Sequence, residues 1–366
     1  MQLRTSDMSD AVLALLQERI RSAAALKSPL AVRGGGTKQF YGMAAVGDPL
    51  DTTAYAGIVD YDPTELVITA RAGTPLAEIE STMRASGQML GCEPPHFGPG
   101  ATLGGAVAAG LSGPRRPYAG AVRDFVLGVR ILDGKGDDLA FGGRVMKNVA
   151  GFDLPRLMTG ALGTLGVLTE ISLKCMPLPK VESTRMLECS ADDAIRMASK
   201  WGGKPLPVTA TFHHAGRLAV RLSGAPSAVD AAAKKIGGGE LADGDALWDS
   251  VREQTHPYFT AASAAGAPLW RLSVKGTAPH ADLGGEQLHE WSGALRWLVA
   301  GEQSETARIR AWAQANGGHA TLFRATDKAA GAFQPLPDTL LALHRRLKAT
   351  FDPAGILNRG RLYPDF

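Results

Sequence analysis

Cysteine is scarce in this 366-residue chain, where Cys92, Cys175 and Cys189 are odd in number and far apart. That spacing writes neither a disulfide framework nor a CxxC zinc or iron–sulfur motif, and it suits a reducing cytoplasm. No stretch of 18 apolar residues occurs, so no membrane span is expected. Nor does the amino terminus read as a secretory leader, because Asp7, Asp10, Glu18 and Arg19 interrupt any apolar core. Charge of one sign is equally lacking. With 39 basic residues against 36 acidic ones, no run of five like charges and a net charge of +3, nucleic acid is not an expected partner. A composition of 45% apolar and 20% charged residues is that of a globular protein. At roughly 150 residues per domain, the length allows two or three domains.

Glycine is what the chain has in excess, 44 of 366 residues, and 16 of these fall between Gly98 and Gly166 without a repeating period. Backbone must be closely approached there. Around this region the pattern predicts a first helix capped at Ser9 or Asp10 with Val12, Leu15, Leu16, Ile20 and Ala23 on one stripe. Strands follow at Pro29–Val32 and Leu66–Ala70, a helix runs from Thr74-Pro75 through Leu76, Ile79 and Met83, and a hairpin joins Phe125–Leu132 to Leu139–Phe141. A strand over Val167–Cys175 stops at Pro177-Leu178-Pro179. Beyond it, strands (Arg185–Glu188, Val208–Phe212, Leu218–Leu222, Leu269–Val274, a hairpin within His289–Val299) alternate with helices (Asp192–Trp201, Ser227–Ile236, Glu305–Ala315), which reads as an α+β layer with antiparallel strands. A linker at Lys328–Pro337 precedes a last helix, Thr339–Thr350. The expected organisation is a first domain over 1–178, a second over 179–338, and a segment 339–366 returning to the first.

Two small-residue loops invite a phosphate-bearing ligand. A pyrophosphate is bound most readily by a row of backbone N–H groups with no side chains in the way, and Arg33-Gly34-Gly35-Gly36-Thr37-Lys38 offers one. Taken alone, a three-glycine run is also an ordinary tight turn. A dinucleotide fold of the GxGxxG type is not indicated, because Gln39 stands where the third glycine belongs and no helical pattern follows. Gly160, Gly163 and Gly166 have the wrong spacing too. The second loop, Pro94 to Gly110, combines rigid prolines, the Thr102 hydroxyl and paired glycines, so a flat ring system could lie against its backbone.

Arg33-Gly34-Gly35-Gly36-Thr37, then Pro95-x-x-Gly98-x-x-Ala101-Thr102-x-Gly104-Gly105, then Arg123–Gly128 and Gly163–Thr169, in that order, resemble the FAD domain of the vanillyl-alcohol oxidase (PCMH) type. The tail Asp352-Pro353 through Ile356-Leu357-Asn358 to Gly360 resembles the closing motif of the D-lactate and glycolate dehydrogenase branch. Within it, Cys92–His96, Leu111–Pro117, Val145–Leu154, Trp291–Leu298 and Gly317–Thr321 are similar to the family of FAD-binding E subunits of bacterial glycolate oxidases. The resemblance implies an α+β, two-lobed FAD-binding domain with an antiparallel-sheet cap domain. It implies that Arg33 and the backbone of Gly34–Lys38 cradle the pyrophosphate, that Pro95, Gly98, Ala101, Thr102, Gly104 and Gly105 run beside the isoalloxazine and ribityl chain, and that Gly163, Gly166, Val167 and Leu168 flank the adenine. Relatives that hold FAD covalently do so through a His beside the first loop. Here Thr37, Lys38, Gln39 and Phe40 follow Gly36, which implies noncovalent FAD. The implied partners are a larger FAD-binding subunit and an iron–sulfur subunit, with a small 2-hydroxy acid as substrate and a cytoplasmic location, peripheral at the inner membrane through the complex.

Catalytic residues are harder to assign. Self-sufficient members of the branch carry an HxGDGN-type run, absent here. Oxidising a hydroxy acid needs a base for the hydroxyl proton and a cation for the carboxylate. His96 and His319 are the candidates for the base, each also readable as a structural residue. Arg115-Arg116 could grip a carboxylate or a partner's acid or be a solvated pair, Arg123-Asp124 reads as an internal ion pair, and the Trp291–Trp297 stripe as core or interface. Three functional classes follow: an FAD subunit of a glycolate dehydrogenase complex, a free-standing flavoenzyme, or an assembly subunit that keeps the FAD fold without redox work.

Overall fold

The computed structural model describes residues 2–143, 152–301, 305–364 and 366, with side chains from Met8 onward. Residues 145–151 of the run 145–154 singled out above therefore lie outside the described residues. The chain forms two compact units, one made of Met1–Leu111, Ala121–Pro177 and Pro335–Phe366, the other of Ser112–Gly120 and Leu178–Gln334. Ser112–Gly120, expected within the first domain, belongs to the second unit. The reason is polar: the Trp291 indole N–H donates to the Gly113 carbonyl at 3.0 Å, and Arg115 pairs with Glu182 at 2.5 Å.

The first unit opens with a helix, Gln2–Leu26, that starts before the expected cap. Leu16, Ile20 and Ala23 are buried on its inner stripe, whereas Leu15 is 61% exposed. That stripe meets Leu30 and Leu50 of a parallel strand pair, Leu132 and Val167 of a sheet, and Ile356 and Leu357 of the tail in one core. Each fully buried Leu or Ile contributes about 1.5–3 kcal/mol. The pair is Leu30–Arg33 with Asp48–Asp51, and the sheet runs Ile58–Asp62, Val67–Arg71, Val167–Lys174, Val126–Leu132, Asp138–Gly142, antiparallel throughout. Antiparallel pairing sets this unit apart from a doubly wound dinucleotide fold, whose sheet is mostly parallel.

The tail is stapled in by a buried polar network. After the helix Asp338–Phe351, the Asp352 carboxylate accepts the backbone N–H groups of Ile356 and Leu357 at 3.1 and 2.7 Å. Lys348 pairs with it at 2.7 Å, with side-chain exposures of only 6% and 0%. The same ammonium donates to the carbonyls of Thr164 and Leu357 at 2.8 and 2.7 Å. A buried pair is stable when its remaining donors and acceptors are filled, and here they are.

The second unit holds an eight-stranded antiparallel sheet. Val181–Glu188, the helix Ala191–Gly202, Val208–His214, Arg217–Gly224, the helix Pro226–Ile236 and Gly239–Glu240 form a βαββαβ half with strand order 4-1-3-2. Leu269–Ser273, Gly285–Glu290, Leu295–Ala300, the helix Thr306–Ala315 and His319–Arg324 repeat that order from the seam outward without the first helix. The halves join where Phe212 and His213 pair with Glu290 and His289. Local signals explain the helices. Ser190 Oγ accepts the Asp193 N–H at 3.1 Å, Asp192 and Asp193 occupy the first turn, Lys200 the last, and Ala194, Ile195 and Ala198 are buried. Two helices that the sequence reading left out, Gly244–Arg252 and Pro257–Ala264, are short and rich in small or polar residues.

His289, at the seam, is 4% exposed and neither ring nitrogen has a hydrogen-bond partner. Burial, and then the Arg296 charge, push its pKa down to about 2.

Two outcomes are expected. Asp352→Ala strands the Lys348 ammonium in the core and should cost about 3–5 kcal/mol in denaturant unfolding, whereas Asp352→Asn should cost less. For His289, the folded state keeps the ring neutral while the unfolded chain protonates it below the ordinary 6.5, so stability is lost as pH falls. From pH 7 to pH 5 the loss from this residue should be about 2 kcal/mol, and His289→Leu should flatten that part of the profile in urea titrations.

Candidate functional site

In the first unit three small-residue segments enclose a cavity of about 350 Å³. The strand Leu30–Arg33 delivers the chain to Gly34–Gly36, and Gly36 takes φ +77° to turn it. The glycines before it are needed for packing: a Cβ at Gly34 would overlap Thr102 Oγ1, and one at Gly35 the Gly100 carbonyl oxygen. Thr102 caps the helix Leu103–Ala109, its hydroxyl accepting the Gly105 N–H at 3.2 Å. That helix presents Gly104, Gly105, Ala108 and Ala109 to the cavity, so the wall is backbone and methyl groups. The third segment contributes Ala161–Gly163 and Gly166–Leu168.

Asn358 ties the segments together. Its Oδ1 accepts the Val32 N–H at 2.7 Å while its Nδ2 donates to the Leu162 carbonyl at 2.6 Å. Both loops it holds line the cavity, and so does Asn358 itself.

The charges lining the cavity are of one sign. Among the described residues Arg33, Lys38 and Arg361 line it, and no Asp or Glu does. Arg33 leans on Asp51 at 3.5 Å. Lys38, 8% exposed, donates to the His96 carbonyl at 3.1 Å and the Thr37 hydroxyl at 3.3 Å. The Arg361 guanidinium donates to the carbonyls of Met43, Lys38 and Gln39 at 3.1, 3.4 and 3.3 Å. Burial lowers its pKa, but a guanidinium remains charged at neutral pH. Three cations, glycine backbone and small apolar walls make a site for an anionic, flat, elongated molecule. Among the described residues the lining also contains no His, Cys or Tyr.

Among the residues singled out from the sequence, Arg33, Gly34, Gly35, Gly36, Thr37, Lys38, Thr102, Gly104, Gly105, Gly163, Gly166, Val167 and Leu168 line this cavity. Pro95, Gly98 and Ala101 do not. Their loop lies behind the glycine turn, where Gly100 packs against Gly35 and His96 supplies the carbonyl for Lys38. Gly35 and Gly104 are therefore required for backbone packing, on Gly100 and Ala72 respectively, rather than to leave room in the cavity. His96 is not among the lining residues; its Nε2 faces Glu80 at 3.1 Å. His319 belongs to the second unit. Arg115 and Arg116 part company, Arg115 to Glu182 and Arg116 over the Trp291 ring at 4.5 Å. Asp124 caps the Ala121 N–H at 2.9 Å and meets Arg156, not Arg123, at 3.8 Å. Trp291 and Trp297 are buried. Asn358 and Arg361 were missed, although the tail motif that contains Asn358 was visible.

Cys92, Cys175 and Cys189 are free thiols. Burial raises all of their pKa values, that of Cys175 to about 12. Among the described residues no group of three His, Cys, Asp or Glu could hold a metal ion, and no helix is long and apolar enough to cross a membrane.

Residues 13–141 match the FAD binding domain family and residues 327–362 the C-terminal domain of FAD linked oxidases. The chain is 48% identical over 363 residues to glycolate oxidase subunit GlcE of Escherichia coli, covering 99% of both. It is 31% identical over 157 residues to glycolate oxidase subunit GlcD of Bacillus subtilis, 42% of this chain and 33% of that one. Over 130 residues it is 33% identical to the mitochondrial D-lactate dehydrogenase [cytochrome] 1 of Saccharomyces cerevisiae, 36% of this chain and 22% of that one. A solved structure of alkyldihydroxyacetonephosphate synthase shares the fold with a TM-score of 0.65 at 14% identity, over 94% of this chain and 73% of that one. With its full-length match and a cavity of this shape and charge, the chain belongs to the glycolate oxidase subunit GlcE family of the FAD-linked oxidases and is an FAD-dependent oxidoreductase.

Proposed function

We propose that this chain holds FAD noncovalently in the cavity of its first unit and serves as a flavin subunit of a complex that oxidises glycolate to glyoxylate. The observation that carries this reading is the cavity itself, lined among the described residues by three cations, no carboxylate and backbone-rich loops. Gly34–Lys38 with Arg361 would meet the pyrophosphate, the Gly104–Ala109 face the ribityl and ring portion, and Gly163–Leu168 the adenine. The flavin supplies a two-electron acceptor for the hydride of the hydroxy acid. Among the described lining residues there is no His, Cys or Tyr to bond the flavin ring, and Thr37, Lys38, Gln39 and Phe40 follow Gly36, which supports the noncovalent reading.

The partners are a larger flavin subunit and an iron–sulfur subunit. Passing single electrons onward needs a cluster, commonly held by four thiolates. This chain has three cysteines, all with raised pKa. The complex is placed on the cytoplasmic side of the inner membrane, where this chain would associate only through its partners.

The purified chain should be yellow, and acid precipitation should release the colour into the supernatant. Colour that stays with the denatured polypeptide would establish covalent attachment instead. Ala108→Phe, on an ordinary helical position facing the cavity, should abolish FAD retention and keep the melting temperature of the FAD-free protein. A folded Ala108→Phe variant with full FAD occupancy would remove the cavity assignment. Copurified with its partners, the chain should support glycolate-dependent dye reduction that Ala108→Phe lowers by at least tenfold. Robust turnover by the isolated chain would make it a free-standing flavoenzyme, and a colourless chain that gains no stability from FAD would make it an assembly subunit.

A further inference from the structure

The chain ends on the cavity of the first unit. After the helix Asp338–Phe351 the tail runs beside the strand Leu30–Arg33, where the Leu30 N–H donates to the Ile356 carbonyl at 2.7 Å and the Asn358 N–H to the Leu30 carbonyl at 3.0 Å. The Asn358 side chain then reaches Val32 and Leu162. Three residues on, Arg361 meets the segment that follows the glycine turn. The Met43 N–H donates to the Arg361 carbonyl at 3.0 Å, while the Arg361 guanidinium donates to the carbonyls of Met43, Lys38 and Gln39. The last residue closes the tail on itself. The Gly360 N–H donates to the Phe366 carbonyl at 2.8 Å, and the Phe366 ring packs against Tyr363 and His344, with centroids 5.5 and 5.9 Å away.

The cations of this frame differ in what balances them. Lys348 has the Asp352 carboxylate at 2.7 Å, and Arg33, whose side chain is nearly half exposed, has Asp51 at 3.5 Å. Arg361 is 8% exposed, and among the described residues its guanidinium bonds to carbonyl oxygens only. Burial lowers its pKa, and no carboxylate opposes that shift. Carbonyl dipoles satisfy N–H groups without cancelling a full charge, and a charge held out of water is costly until an opposite one stands beside it. Arg361 lines the cavity, so the molecule bound there can supply that opposite charge.

We propose that the carboxyl-terminal tail is a latch closed by the diphosphate of FAD, with Arg361 as the group that links the two. This rests on the proposed function and adds the regulation of that site, because cofactor retention and tail docking then control each other. A diphosphate beside Arg361 cancels the guanidinium charge and removes the cost of keeping it buried. The gain passes to the docked tail through the carbonyls of Lys38, Gln39 and Met43. Linkage of this kind is reciprocal: the factor by which the docked tail tightens FAD equals the factor by which FAD favours docking. An undocked tail withdraws Asn358 together with Arg361, and with Asn358 go the bonds that hold Val32 and Leu162 in register. The FAD-free chain therefore opens its tail before the rest of the first unit unfolds, and FAD suppresses that opening.

The test is hydrogen exchange of the full-length chain, read by mass spectrometry over residues 352–361, in the FAD-free chain and after saturation with FAD, with ADP or with adenosine. FAD should slow exchange of the tail amides by at least tenfold. ADP, which carries the same diphosphate, should slow the same amides, and adenosine should not. Arg361→Met should weaken FAD and ADP by a common factor of at least ten and remove the slowing of the tail even at saturating FAD. Arg361→Lys, which keeps the charge, should retain most of the slowing. Arg361→Gln, which keeps donors without the charge, should lose it, and serves alone if Arg361→Met does not fold. A merely structural role for Arg361 would speed tail exchange equally with and without FAD and leave the difference between the two states as in the wild type. Melting temperature and FAD occupancy are recorded for each variant. The latch is overturned, with the flavin reading intact, if FAD binds and leaves tail exchange unchanged, if adenosine protects the tail as ADP does, or if a folded Arg361→Met variant keeps wild-type affinity and protection. A wild-type chain that binds neither FAD nor ADP overturns both.

Discussion

The cavity of the first unit depends on the burial of Lys348 and Asp352 against each other beneath its loops. Their pairing at 2.7 Å neutralises two charges almost wholly removed from water, the other two Lys348 donors go to backbone carbonyls, and both Asp352 oxygens accept backbone N–H groups. Because those backbone groups belong to Thr164, Ile356 and Leu357, the pair fixes the third cavity segment and the start of the tail together. Asn358 follows at once and spans from Val32 to Leu162. Residues near the carboxyl terminus thus hold in register two segments that the sequence separates by about a third of its length.

On that frame, polarity follows from which side chains are allowed in. Glycine and alanine occupy positions where anything larger would strike backbone, as at Gly35 and Gly104, or would fill the space, as at Ala108. Among the described residues the charged groups that remain are cations, and two of them, Lys38 and Arg361, are oriented by carbonyl oxygens. A site prepared in this way would meet the pyrophosphate of the proposed FAD with donors already aimed. The second unit is organised differently. Two halves of the same strand order, joined at a narrow seam, provide a broad sheet.

Much of this was legible in the sequence. Alternation and helical period placed Val67–Arg71, Leu76–Ala85, Val126–Leu132, Val167–Lys174 and most elements after Leu178, because those signals are local. The glycine turn after Arg33 and the Thr102-capped segment were recognised by residue type, and both line the cavity. What the sequence did not show was which small residues line the cavity. Pro95, Gly98 and Ala101 have the same small, rigid character as Thr102–Gly105, yet they form the rear support of the turn, a distinction set by the close approach of Gly100 to Gly35.

The sequence by itself determined the class of ligand and the antiparallel α+β architecture, since glycine runs, prolines and hydrophobic period act within a few residues. Only the tertiary structure decided which cations face the cavity, that His96 belongs to Glu80, and that Arg116 parts from Arg115 to share an indole with Arg271. Those outcomes rest on contacts between residues far apart in the chain. Charge pairing and stacking act through space and carry no local pattern by which a sequence could announce them.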